Sequence, residues 1–146
     1  MHRARSPAAV IQPRAATRND LRMTPLRKAT LAVAGLRIAY GAALALAPAR
    51  TTRAWLGTGG AVPGGSVAVR ALGAREIVLH GGAVAAALGD APGAPWLIGS
   101  IAGDAADIVA TFAAGDGLPD GAPVKTLAVA GASAALTAAV LAVLDD

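Results

Sequence analysis

Within "VRALGAREIVLHGG", a run otherwise made of Val, Leu, Ile, Ala and Gly, stand Arg70, Arg75, Glu76 and His80. Arg37 interrupts an equally apolar run upstream. Asp104 and Asp107 interrupt a third, "PWLIGSIAGDAADIVATFAA", downstream. Three guanidinium groups therefore face three carboxylates, with one imidazole as a titratable seventh member. In an apolar setting such groups can form ion pairs, relay protons or bind a polar ligand.

Their spacing says how they could meet. Glu76 and His80 are i,i+4 and share one helical face, and Asp104 and Asp107, i,i+3, share another. Arg75 lies roughly 100° around the helix from its neighbour Glu76, so it points elsewhere, toward a different helix or a second copy of the chain. Two outcomes remain open at this point. The charges close into a structural ion-pair network, or they line a cavity or proton path in which His80 and the carboxylates titrate.

Other chemistries fit less well. Glu76, His80, Asp104 and Asp107 offer the oxygen and nitrogen donors of a metal bundle, but there is one His, no paired Glu-x-x-His, and three arginines that would repel a cation. No metal or other cofactor is expected. "LHGG" resembles an oxyanion loop, yet there is no G-x-S-x-G, and Ser66, Ser100 and Ser133 have no His beside them in sequence. "GTGGAVPGG" is followed by no Lys-Ser/Thr, which rules out a phosphate loop. Enzymatic activity is not the leading expectation.

The elements that must position these groups are long and apolar. The chain is 55% hydrophobic and only 15% charged, against about 25% charged for soluble domains. Four apolar runs cover about 29–49, 66–88, 95–114 and 126–144. Each is about 20 residues long, enough to cross a hydrocarbon core of roughly 30 Å as a helix. With no polar face to meet water, they predict an all-α, up-down-up-down bundle of four transmembrane helices over 26–146. The fourth run is uncharged and reads as a lipid-facing support. Pro and Gly punctuate the connections, and Trp55 and Trp96 suit the headgroup regions at the ends of spans. Gly35 and Gly41 in span one, Gly73, Gly81 and Gly82 in span two, and the Gly99-x-x-x-Gly103 stripe in span three would let helices approach closely.

Seven of the thirteen basic residues lie in the first 28, so the formal charge of +4 belongs to a basic arm rather than a basic surface. Residues 1–25, polar and proline-bearing, read as disordered. The arm lacks the aromatics of a nucleic-acid site, so no nucleic acid is expected. It should hold the N-terminus in the cytoplasm, and four crossings return the C-terminus there as well. Met23 opens "MTPLRKATLAVAG" and offers a second start of translation beside Met1. A signal-peptide reading of span one rests on "ALALAPA", but Arg37 and the length of the run oppose it. The absence of cysteine excludes disulfides and thiolate sites.

This topology sets depths. Arg37, Asp104 and His80 should lie level near the midplane, with Arg75, Arg70 and Asp107 displaced outward. Arg75 or Arg70 should pair with Asp107, and Arg37 with Asp104 or Glu76.

"RALGAREIVLHGG" and "PWLIGSIAGDAADIVATFAAG" together resemble a family of small four-helix integral membrane proteins of high-GC bacteria. Its pattern is Arg-x-x-Gly-x-Arg-Asp/Glu in helix two, here Arg70, Gly73, Arg75 and Glu76, and Asp-x-x-Asp in helix three, here Asp104 and Asp107. The likeness spans about residues 30–144. It implies the same fold, a bacterial inner membrane, and a common role for the polar residues, but no activity; His80 stands where a small residue is more usual. The expected function is a membrane binding, interaction or structural module with an intramembrane ion-pair network. Its partners would be the bilayer, a second copy of the chain, or a small-molecule or lipid ligand. The alternative is a membrane-embedded enzyme, transporter or proton relay that uses the same residues.

Overall fold

Proline is the first or second residue of every long helix. In the computed structural model, which describes residues 24–89 and 91–144, α1 spans Pro25–Leu46, α4 Pro63–Leu88, α5 Ala94–Ala114 and α6 Ala122–Leu144. Two short helices, α2 (Pro48–Thr51) and α3 (Arg53–Leu56), lie in the connection between α1 and α4. Proline suits the first turn because its missing N–H would be unsatisfied there anyway. At the start of α1, Thr24 also accepts the Arg27 N–H on its hydroxyl at 3.1 Å. Thr24 and Pro25, counted with the basic arm in sequence, are thus the first residues of the bundle. The rest of the arm, Met23 and the C-terminal Asp145 and Asp146 lie outside the described residues. Among the described residues there is no strand.

The long helices run up-down-up-down. Antiparallel pairing of α1 with α4 is fixed by contacts from Gly41–Gly73 to Arg37–Glu76. Pairing of α4 with α5 runs from Gly82–Trp96 to Arg75–Asp107. The helices α1 and α4 form one close pair and α5 and α6 another, whereas α1 and α6 touch little.

Burial is inverted relative to a water-soluble bundle. On α4 the buried positions are Val69, Gly73, Glu76, His80, Ala83 and Ala86. That single stripe at three- and four-residue spacing carries both polar groups on the inside. On α5 the buried stripe is Leu97, Ser100, Asp104 and Thr111. The outward faces carry Leu36, Val67, Val78, Val109 and Leu136, all more than half exposed. Water would disfavour such a surface and lipid would not. All four helices are long and apolar enough to cross a membrane. This is the architecture of a multi-pass membrane protein.

Small residues set the helix spacing. A Cβ on Gly73 would stand 2.5 Å from the Gly41 carbonyl oxygen and 2.9 Å from the Ala45 nitrogen. A Cβ on Gly41 would stand 2.7 Å from the Gly73 carbonyl oxygen. The backbones of α1 and α4 therefore touch, as glycine-mediated helix pairs do in membranes. Gly82 accommodates the Trp96 ring, which packs beside the Ala83, Leu97 and Val140 cluster. Gly35 and Gly81 meet nothing within 4 Å and play no such part.

Candidate functional site

Arg37 is the hub of the polar layer. Its Nη2 donates to Asp104 Oδ1 at 2.7 Å, and its Nε lies 2.8 Å from Glu76 Oε2. The Nε contact is misaligned, so neither atom is hydrogen-bonded, and Coulomb attraction carries it. One guanidinium from α1 thus bridges carboxylates from α4 and α5, side chains that are each only 2% exposed. Both pairings foreseen for Arg37 occur at once.

Arg75 forms the second half. It donates to Asp107 through both terminal nitrogens, Nη1 to Oδ1 at 3.3 Å and Nη2 to Oδ2 at 2.8 Å. Nη2 also reaches Glu76 Oε1 at 3.1 Å. Arg75 thus meets a different helix, as expected, but it does not stay clear of Glu76, because a long side chain can curl back over the helix surface where a Cβ direction cannot. Gly103 makes the space: a Cβ there would stand 3.0 Å from the Arg75 Cζ, so the guanidinium lies directly over that glycine. With Asp107 as the partner of Arg75 inside the same chain, Arg75 gives no reason for association with a second copy.

Arg70 lies outside the layer. It is exposed and donates to the Ala45 carbonyl at 2.5 Å and to Ser66 Oγ at 3.4 Å. Its helical position turns it toward the end of α1 instead of toward Asp107. Removing it changes the charge count: Arg37 and Arg75 now face Glu76, Asp104 and Asp107. The three-against-three balance read from sequence becomes two cations against three carboxylates.

His80 also departs from expectation. It is not level with Arg37 and Asp104 but one turn further along α4, toward the end of the bundle that holds the start of α1. Its Nδ1 lies 2.8 Å from the Glu76 carbonyl oxygen and its Nε2 3.1 Å from Ser100 Oγ. A carbonyl can only accept, so Nδ1 carries the proton and, in the neutral ring, Nε2 accepts from the Ser100 hydroxyl. Glu76 Oε2 is 3.6 Å from Nδ1. Serine, histidine and carboxylate thus come together in space although Ser100 has no His neighbour in sequence. The arrangement is sealed: Ser100 is 1% exposed, and the void beside His80 is about 10 Å³, room for about one water and no substrate.

On the other side of the layer the bundle is open. A cavity of about 180 Å³ is bordered by Arg37, Glu76, Asp104 and Asp107, with Tyr40, Trp55, Lys125 and Val129 among its other walls. It lies toward the α2–α3 end, where α1 and α6 stand apart. The α2–α3 connection partly covers that end. Thr52 is buried with its hydroxyl on the Pro48 carbonyl, and the Trp55 indole N–H donates to Thr111 Oγ1 at 3.3 Å. The Thr111 hydroxyl in turn donates to the Asp107 carbonyl at 2.7 Å. Trp55 and Trp96, foreseen as interfacial anchors, are half-buried and also pack on the protein, Trp55 against Thr111 and Trp96 over Gly82. The fourth long helix is likewise more than a lipid-facing support, because it begins at Ala122 and contributes Lys125, Thr126, Val129 and Ala130 to the cavity.

Ser100, Tyr40, Trp55 and Thr111 were not singled out as site residues in the sequence. Ser100 and Thr111 could have been found, since they fall on the Asp104–Asp107 side of α5 at four-residue steps. Asp104 keeps one unsatisfied atom: Oδ2 is buried without a hydrogen-bond partner among the described residues. No group of three or more His, Asp and Glu among these residues is arranged to hold a metal ion. Compared with known proteins, the chain matches no family model, no curated protein and no solved structure.

Proposed function

We propose that this is a binding protein of a bacterial inner membrane, with both termini in the cytoplasm, that holds a small-molecule or lipid ligand in the cavity beside its ion-pair layer. The observation that carries the reading is that Glu76 and Asp104, two of the most deeply buried side chains, are held by arginines on one side and lie at the edge of a cavity on the other. A purely structural network has no use for a cavity on its charged face, because buried ion pairs are held best when fully enclosed by partners. The orientation follows from the basic residues that precede α1. The resemblance of the helix-two and helix-three motifs supports the inner membrane of a bacterium.

Native mass spectrometry of the detergent-purified full-length chain tests it, with lipid extraction of the same sample. A retained molecule, lost when Val129 at the cavity wall is replaced by Trp, is the expected result. A bare chain in mild detergent, with extracted lipids matching the bulk membrane, would count against a ligand.

A second reading has its own observation. Ser100, His80, Glu76, Arg75 and Asp107 form a polar row along the bundle, hydrogen-bonded or ion-paired at every step except the 3.6 Å gap from His80 Nδ1 to Glu76 Oε2, and closing that one gap makes it a proton relay. Proteoliposomes loaded with a pH-sensitive dye would reveal it as proton flux that disappears in Glu76→Gln.

A further inference from the structure

The cavity's walls narrow the class of ligand, and the argument rests on the binding reading above. Arg37 and Arg75 leave one carboxylate of the trio Glu76, Asp104 and Asp107 uncompensated. Lys125, the other cation at the cavity, is exposed and makes no ion pair among the described residues. The surplus has a location. Asp104 is 1% exposed, and while Oδ1 accepts from Arg37, Oδ2 has no donor. A buried carboxylate oxygen without a donor is unfavourable, and more so within a membrane.

The remaining walls complement a cation with an apolar tail. Tyr40 and Trp55 bring aromatic rings, whose faces attract positive charge, and Leu72, Ala54, Val129 and Ala130 are apolar. At about 180 Å³ the space far exceeds what one water fills. Tyr40 is 42% and Val129 68% exposed. Both are on long apolar helices, so the cavity walls from α1 and α6 reach the outer surface of the bundle, and we place its mouth between those two helices.

We infer that the cavity binds the primary ammonium group of an amphiphilic amine, with its N–H donors on Asp104 and Glu76, its charge beside Tyr40 and Trp55, and its tail leaving toward lipid between α1 and α6. A primary ammonium is specified over a quaternary one because Asp104 Oδ2 lacks a hydrogen to accept. The same group is carried by an ethanolamine phospholipid and by a free alkylamine, and the geometry serves either.

The test uses the full-length chain in phosphatidylcholine nanodiscs, titrated with hexylammonium chloride while tryptophan emission is followed, since Trp55 is a cavity wall. Saturable binding is expected, weakened at least about tenfold with hexyltrimethylammonium or hexanol, and by a similar factor in Asp104→Asn, as expected for loss of a charged hydrogen bond. Val129→Phe, which fills the mouth without touching an ion pair or adding an indole, should abolish the signal while the thermal unfolding of the protein is unchanged. Replacing part of the phosphatidylcholine by phosphatidylethanolamine identifies the source. Competition with hexylammonium points to the lipid headgroup and its absence to a free amine, and both outcomes keep the ammonium. Equal affinity for hexanol and hexylammonium, or undiminished binding in Asp104→Asn, overturns the inference. So does an absence of binding; if native mass spectrometry then finds a non-cationic molecule retained, the binding reading stands without it.

Discussion

Gly73 touches the backbone of Gly41, and one helical turn away Arg37 reaches across the same helix pair to Glu76 at 2.8 Å. The two relationships depend on each other. Because α1 and α4 meet backbone to backbone, the Arg37 side chain spans from one helix to the other and still reaches Asp104 on α5. A wider separation would leave buried charges without partners. Intramembrane charge costs on the order of 2.5 kcal/mol or more per group even on insertion scales, so the small residues and the charges form one design.

Replacing Gly73 by Val should destabilise the bundle by about 3 kcal/mol or more, because overpacking here also pulls Arg37 from its partners. Gly81→Ala, where nothing stands within 4 Å, should be neutral or slightly stabilising. Thermal unfolding in one detergent, measured for both variants, checks the contrast. Equal losses would show that the Gly41–Gly73 contact has no special role.

Arg37→Gln strands Asp104 in the interior and leaves Glu76 with Arg75 alone, and breaking a buried pair on one side costs roughly 3–5 kcal/mol. Adding Asp104→Asn to it should recover part of that loss. A double-mutant cycle by denaturant or thermal unfolding is expected to give a coupling of about 1–3 kcal/mol. Strict additivity would mean that the 2.7 Å contact contributes nothing.

Arg70 and Arg75 sit five residues apart in sequence and should behave differently. Arg70→Gln removes hydrogen bonds to Ala45 and Ser66 at an exposed position, for which about 1 kcal/mol is expected. Arg75→Gln removes a two-pronged contact to Asp107 and the bond to Glu76, and should cost at least twice as much. The ranking of midpoint temperatures decides it.

His80 should show the tautomer with the proton on Nδ1. Nitrogen-15 NMR of the histidine-labelled protein, at a pH where the ring is neutral, distinguishes the two ring nitrogens directly. In Ser100→Ala, Nε2 loses its donor, and a destabilisation of about 1–3 kcal/mol should accompany a shift of the Nε2 resonance. A proton on Nε2 in the wild-type protein would contradict the 2.8 Å contact to the Glu76 carbonyl.

Much of this is legible in the sequence alone. Four apolar runs of spanning length, each opened by proline or bounded by glycine, carry their helices in their own periodicity, because a helix in lipid satisfies its backbone locally. Pairing of Arg37 with Asp104 or Glu76, and of Arg75 with Asp107, followed from counting residues inward from the ends. Arg70 and His80 were misplaced for a shared reason. Depth along an axis can be counted from sequence, but the end of a six-atom side chain and the tilt of one helix against the next cannot.

What the sequence by itself determined is the helices, their alternating directions and the presence of a polar layer on their inner stripes, since these depend on local composition and a period of about 3.6 residues. Only the tertiary structure decided which charges belong to the layer and what faces it. Exclusion of Arg70 leaves one carboxylate in surplus, and Gly103 lets Arg75 lie across α5. The gap between α1 and α6 opens the layer onto a cavity instead of sealing it. Those are properties of how four helices pack, and packing is set jointly by residues far apart in the chain.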